Sequence, residues 1–164
     1  MTAVFLVCSA AGLLKSAELS KRVRQLEALK GAINLISTEI RYFASPVDVI
    51  MKKLNALDEY TGLKIFGLCE NSFKNTNDFA KAWAASIAEA RPQLSLNKGD
   101  YEALLWFGSM LGATDIEGQI ANCERYAEML SQRLAHARED KLKRGKMYSS
   151  LGILSGAFIV VIFL

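Results

Sequence analysis

Leu19, Val23, Leu26, Leu29, Ile33, Ile36, Ile40 and Phe43 recur at steps of three and four residues. Such steps return to one face of a 3.6-residue helix, so they predict one long helix with a continuous apolar stripe. This helix runs on, with no breaker, from an uncharged segment, Met1 to Leu14. The stretch "ASPVDVIMKKL" predicts a second helix from Pro46 to about Leu57. Ser45 suits its cap, Pro46 its first position and Asp48 its third. "YTGLKIFGLCENSFKN" predicts a third helix over residues 62–74. "NTNDFAKAWAASIAEA" predicts a fourth, with Phe79, Trp83 and Ile87 on one face, and Arg91-Pro92 marks a break after it. "GDYEALLWFGSMLG" predicts a fifth that closes on Gly112 as a left-handed cap. The last helix starts at "TDIE", where Thr114 and Glu117 have capping-box spacing and Asp115 complements the positive helix end. Its stripe is Ile116, Ile120, Cys123, Ala127, Leu130, Leu134 and Ala137, and it continues toward Met147, interrupted at most near Gly145. No strand pattern occurs. The expected fold is all-α, an antiparallel bundle of about six helices between two terminal transmembrane segments.

The chain ends carry the membrane expectation. Met147 to Leu164 holds no charged side chain. As a helix it spans about 27 Å, against a hydrocarbon core of about 30 Å. Tyr148 stands where interfacial aromatics are enriched, and Arg144 and Lys146 can snorkel beside it. Gly152 and Gly156 form a G-x-x-x-G pair, a small face suited to close helix packing in lipid. Three readings of that pair stay open: packing on the first apolar segment, packing on a neighbouring subunit, or no packing role. A buried soluble helix is the rival account of the whole segment, and its all-round apolar character argues against that. The N-terminal run is shorter and reaches Ala17 if Lys15 snorkels. Its rival is a cleaved signal peptide, against which no Lys or Arg precedes the run and a basic helix follows at once. The expected division is 1–17, a transmembrane segment; 18–146, a cytosolic helical domain; and 147–164, a second transmembrane segment.

Charge adds an orientation. Residues 1–30 hold five basic and two acidic side chains, and residues 133–146 hold six and two. The net +3 of the chain is thus concentrated just inside each apolar end, around an acidic middle. Positive flanks stay cytoplasmic, so both termini should lie on the far face. The folded domain lacks the basic surface that nucleic-acid binding requires, so no nucleic-acid partner is expected. Cys8, Cys69 and Cys123 are far apart and odd in number. They read as small buried hydrophobes in a reduced compartment, not as a disulfide framework or metal site.

Chemistry-bearing motifs are missing. The single histidine, His136, lies between charged neighbours on a helix. There is no phosphate-binding G-x-x-x-x-G-K-[ST], no H-E-x-x-H and no nucleophile elbow. Glu39 in "STEIRYF" sits beside the apolar stripe while Arg41 lies on another face. A buried carboxylate needs a partner, which must then come from another helix. No catalytic, cofactor-binding or metal-binding residue is expected, and the chain reads as a non-enzyme.

Three ordered stretches resemble the stage III sporulation protein AB family. They are "RQLEALKGAINLISTEIRYFASPVDVIMKKL" (Arg24–Leu54), "FGSMLGATDIEGQI" (Phe107–Ile120) and "KLKRGKMYSSLGILSGAFIVVIFL" at the C-terminus. "KAWAASI" around Trp83 also fits. Val47 stands where the family usually has Leu, and Thr114 where it has Ser. The resemblance implies a membrane protein of endospore-forming bacteria, part of the channel complex joining mother cell and forespore. It implies a place in the mother-cell-derived outer forespore membrane, with the helical domain in the mother-cell cytoplasm. That domain would be similar to the cytosolic domain of the type II secretion and type IV pilus platform protein. The implied partners are the secretion-type ATPase, stage III sporulation protein AA, and other membrane subunits of the complex. A homo-oligomer stands among the candidate partners, with the role of Gly152 and Gly156 in it left open. Helix ends facing away from a membrane would meet a cytosolic partner, so Tyr42, Pro46, Asp48, Asp115 and Gln119 are the candidate interface. Alanine at Asp115 or Gln119 is expected to leave the fold intact yet impair partner binding. A small channel or transporter subunit outside sporulation is the alternative, but neither apolar end holds an ionisable residue to line a pathway apart from Lys15.

Overall fold

Helix α1 runs unbroken from Thr2 to Phe43, because nothing in forty-two residues breaks it. A computed structural model describes residues 2–145 and 147, with side chains placed for residue 10 and from residue 12 onward within that range. The helices that follow are α2 (Val47–Asn55), α3 (Asp58–Thr61), α4 (Ile65–Thr76), α5 (Phe79–Ala90), α6 (Lys98–Met110) and α7 (Ile116–Asp140). A 3₁₀ turn covers Arg91–Gln93, where the Arg91-Pro92 break was expected, and a π-helical turn, Lys141–Gly145, follows α7. Among the described residues there is no strand. Among them, too, no helix is long and apolar enough to cross a membrane. The expected C-terminal span lies outside the described residues apart from Met147, and Gly152 and Gly156 lie there with it.

The chain divides into two compact units, residues 25–133 and residues 1–24 with 134–164. In the larger unit the stripe of α1 is buried from Leu26 through Ile40. Phe43 departs from it and is exposed, because the helix ends there; its ring lies 5.9 Å from the Lys53 ammonium. Neighbouring helices run antiparallel. Arg41 of α1 pairs with Glu124 of α7 at 2.5 Å. Tyr101 of α6 donates its hydroxyl to the Arg91 carbonyl just beyond α5 at 3.2 Å, while Trp83, two turns earlier in α5, donates its indole N–H to the Leu104 carbonyl at 2.8 Å.

Aromatic rings link five helices. Tyr60 meets Phe66 at 6.2 Å, Phe66 meets Trp83 at 6.2 Å, and Trp83 meets Phe107 at 6.2 Å. Phe107 stacks on Tyr126 at 4.7 Å. Edge-to-face and stacked pairs each add about 0.5–1.5 kcal/mol beyond area burial. Gly108 makes room for this line, since a Cβ there would lie 2.0 Å from Trp83 Cδ1. Burial pushes the Tyr126 hydroxyl well above its ordinary pKa, so it stays neutral.

Buried polar groups are tied locally. Gln25 accepts from the Ser95 N–H at 2.7 Å and donates to the Gln93 carbonyl at 3.3 Å, fixing the extended stretch before α6. Asn97 and Asp100 form a reciprocal capping box at the start of α6. Asp100 also receives Arg133 of α7 at 3.3 Å. Cys69 and Cys123 are free and buried. Burial pushes their thiols up, to about 12 and about 11, so neither presents a thiolate at neutral pH.

Three boundaries differ from the sequence expectation. The helix expected over 62–74 is α4 and begins three residues later, at Ile65, because Lys64 adopts a left-handed conformation (φ 57°) after the short α3. α2 begins at Val47 with Pro46 as its cap residue, and Ser45 makes no capping bond. α7 is capped by Asp115, whose Oδ1 accepts from the Gly118 N–H at 2.9 Å, so Thr114 lies one residue too early to cap it. Gly112 takes the left-handed conformation expected of it, at φ 80°.

Candidate functional site

Two turns meet at one end of the larger unit: Ala44–Pro46, between α1 and α2, and Leu111–Asp115, between α6 and α7. A Cβ on Gly112 would lie 3.7 Å from Val47 Cγ2, which places the second turn against the start of α2. All five sequence-nominated interface residues stand on these turns or in the first or last helical turn beside them.

The first turn is held by Glu39. Its carboxylate is buried and accepts from Lys53 of α2 at 2.5 Å and from the Ser45 hydroxyl at 3.0 Å. The partner does come from another helix, as the side-chain pattern required. The Lys53 bond holds the Glu39 pKa below its ordinary value, against an opposing push from burial. A lowered folded-state pKa stabilises the protein above the ordinary carboxylate range. That contribution is lost as pH falls through the lowered value. Glu39→Gln is therefore expected to reduce stability at neutral pH and to flatten the acid limb of the stability profile. Urea midpoints measured from neutral pH down through the carboxylate range check this, and an unchanged acid limb would count against the assignment. Ala44 ends α1 at φ 46°, a left-handed position where a side chain costs about 1 kcal/mol.

The second turn is held by Asp115 and Gln119. Besides the Asp115 cap, Gln119 Oε1 accepts from the Gly112 N–H at 3.2 Å, and its Nε2 donates to the Thr114 carbonyl at 3.0 Å. Both residues thus have positions in the turn's own hydrogen bonding. Alanine at Asp115 should cost about 1 kcal/mol through loss of the cap, so it is a poor probe of binding alone. Thermal unfolding of Asp115→Ala against Asp115→Asn, which keeps a capping oxygen, checks the prediction.

The surface of this end is apolar with an acidic rim. Tyr42 is 74% exposed and Phe43 68%, and Val49 and Ile116 are about half exposed, Ile116 although it lies on the α7 stripe. Asp48, Asp115 and Glu117 are exposed around them, as is Pro46, while Gln119 is half-buried. Of the basic groups nearby in sequence, Arg41 is held by Glu124 and Lys53 by Glu39, while Lys52 stands exposed one turn from Asp48. Val49 and Asp48 also line a groove of about 450 Å³ between α2 and α4, with Lys52, Glu70 and Phe73. Phe43, Val49, Ile116 and Glu117 were not nominated from sequence. Phe43 and Ile116 complete helical stripes and read as core, and only the ending of each helix exposes them.

His136 is exposed on α7. Among the described residues no group of three or more His, Cys, Asp or Glu side chains could hold a metal ion.

The helices and this end face define a small all-helical domain with an exposed apolar surface. The family model of stage III sporulation protein AB matches residues 1–164, and the chain belongs to that family of sporulation proteins. A curated relative is the stage III sporulation protein AB of Bacillus subtilis (strain 168), 27% identical over 146 residues, which cover 88% of this chain and 85% of that protein. A solved structure of a stage III sporulation protein AB superimposes with a TM-score of 0.64 at 26% identity, covering 75% of this chain and 98% of the other.

Proposed function

We propose that this chain is a non-enzymatic platform subunit of the channel complex between mother cell and forespore. It is anchored by its two apolar ends in the mother-cell-derived outer forespore membrane, with the helical domain in the mother-cell cytoplasm. It couples a cytosolic secretion-type ATPase, stage III sporulation protein AA, to the membrane subunits of the complex. Family membership supports the sporulation role. The observation that carries the coupling role is the end face, where Tyr42, Phe43, Val49 and Ile116 stand exposed inside an acidic rim. Aromatic anchors surrounded by charge are the anatomy of a protein-binding patch. Membership in a sporulation family argues against a transport subunit outside sporulation.

Deleting the gene tests the first half of the reading: sporulation should stop after engulfment, and normal spore yield would refute it. Co-purification tests the second. The full chain in detergent should retain the ATPase, and failure to do so with both proteins folded would remove the coupling role.

A further inference from the structure

The smaller unit holds a second surface that the coupling role does not use. Its two helical stretches run antiparallel. The Arg22 guanidinium lies 3.8 Å from the Asp140 carboxylate. Gly145 is buried, and a Cβ there would lie 3.4 Å from Ser16 Oγ. These contacts set two levels, Ser16 beside Gly145 and Arg22 beside Asp140.

Beyond the first level, Leu14 is 66% exposed, and Leu13 and Met147 are exposed with it. Around that level Lys15, Lys143 and Arg144 are exposed and tied by ion pairs to acidic neighbours. Toward the second level the exposed cations lie further from the acidic side chains, with Leu142 exposed among them. Lys21 and Lys141 lie five and four residues from the Ser16–Gly145 level, roughly 6–8 Å along the axis, and Arg24 lies one turn further. The acidic residues of this unit are already engaged. Glu18 is held by Lys15 at 2.8 Å, Glu139 by Lys143 at 2.5 Å, and Asp140 by Arg144 at 3.1 Å as well as by Arg22. These pairs leave Lys21, Arg24 and Lys141 exposed among the described residues, with a surplus of positive charge.

Exposed leucines next to uncompensated cations suit a boundary where acyl chains meet anionic headgroups. The uncharged run 147–164 starts at this same level, which argues for a lipid surface and against a protein partner. The geometry points to an interfacial collar. In it Leu13, Leu14 and Met147 enter the acyl boundary, and Lys21, Arg24 and Lys141 bind anionic phospholipid headgroups. The collar rests on the membrane anchorage proposed above and adds to it a lipid class.

The test uses the full chain reconstituted in phosphatidylcholine vesicles carrying spin-labelled phosphatidylcholine or phosphatidylglycerol. The motionally restricted fraction of each label is read by electron paramagnetic resonance. The protein should prefer phosphatidylglycerol by at least about threefold at low salt, and about 0.5 M salt should remove most of that preference. The variant Lys21→Gln/Arg24→Gln/Lys141→Gln should lose the preference, with unchanged helicity and unchanged restriction of phosphatidylcholine. The control Lys52→Gln/Lys81→Gln/Lys98→Gln, in the larger unit, should keep it. No preference in the wild type, its retention in the collar variant, or its equal loss in the control would overturn the collar while leaving the anchorage standing. A chain that restricts neither label would remove the anchorage and the collar together.

Discussion

Alanine in place of Gly108 will destabilise the protein by about 3 kcal/mol, near the upper end of overpacking costs, although alanine favours a helix over glycine by about 1 kcal/mol. The new Cβ would stand 2.0 Å from Trp83 Cδ1 and 2.3 Å from its Nε1. The indole has nowhere to retreat. Its Nε1–H is bound to the Leu104 carbonyl, one turn before Gly108 on the same helix. The Phe66 and Phe79 rings stand 6.2 and 5.8 Å away. Trp83→Ala removes the same contact from the other side and should cost about 3–5 kcal/mol as a large-to-small core change. Trp83→Phe is the discriminating partner. Alone it leaves a gap and loses the bond to Leu104, yet its narrower ring should admit the methyl group that Gly108→Ala adds. Unfolding midpoints of the double variant Gly108→Ala/Trp83→Phe should therefore exceed the additive expectation by about 1 kcal/mol or more. Strict additivity, or a Gly108→Ala protein as stable as the wild type, would show that the glycine does not form a notch for the indole.

That notch is the kind of feature a sequence does not display. A glycine inside a helical stretch reads as tolerated, because the atom it makes room for comes from a helix twenty-five residues earlier. The long stripe of α1 was legible because burial along a helix repeats with its period. Phe43 and Ile116 kept that period but sit where helices end, and periodicity says nothing about whether a neighbour continues alongside. The two cap positions were each displaced by one residue. Thr114 and Asp115 both offer a capping oxygen in adjacent places and the turn geometry chooses Asp115, whereas the Ser45 hydroxyl is drawn to Glu39 and leaves Pro46 at the cap position. The late start of α4 was hidden because the left-handed residue before it is Lys64 rather than Gly62. The capping box of α6 stands in the sequence as Asn97 and Asp100, but the apolar run behind it is the stronger signal and hides it. At the end face, the nominated residues lay on the right turns. Their adjacency depends on Val47 meeting Gly112, a contact across sixty-five residues of sequence that no local pattern encodes.

Removing the aromatic anchor and reversing the rim of that face should separate binding from folding. In Tyr42→Ala the exposed ring is lost, and in Asp48→Lys/Glu117→Lys two exposed carboxylates become cations. Neither Asp48 nor Glu117 supplies a cap or a tie to the turns, in contrast to Asp115 and Gln119. Tyr42→Ala should alter stability by about 0.5 kcal/mol or less, while each reversal, in the first turn of a helix, should cost about 1 kcal/mol against the helix dipole and leave the fold intact. If the ATPase docks here, Tyr42→Ala should weaken the complex at least about tenfold, as expected for an anchor residue near the centre of a patch. The double reversal should act mainly on the association rate, and the wild-type rate should fall with salt while the variant's does not, because rim charges steer encounter. Trp106→Ala/Leu105→Ala, on the exposed face of α6, is the matched control and should leave binding unchanged. Surface-immobilised full chain in detergent, titrated with the purified ATPase, gives all three readouts. Equal affinities for the wild type and the end-face variants, with the α6 variant impaired, would move the docking surface to α6 and leave the acidic end without a partner.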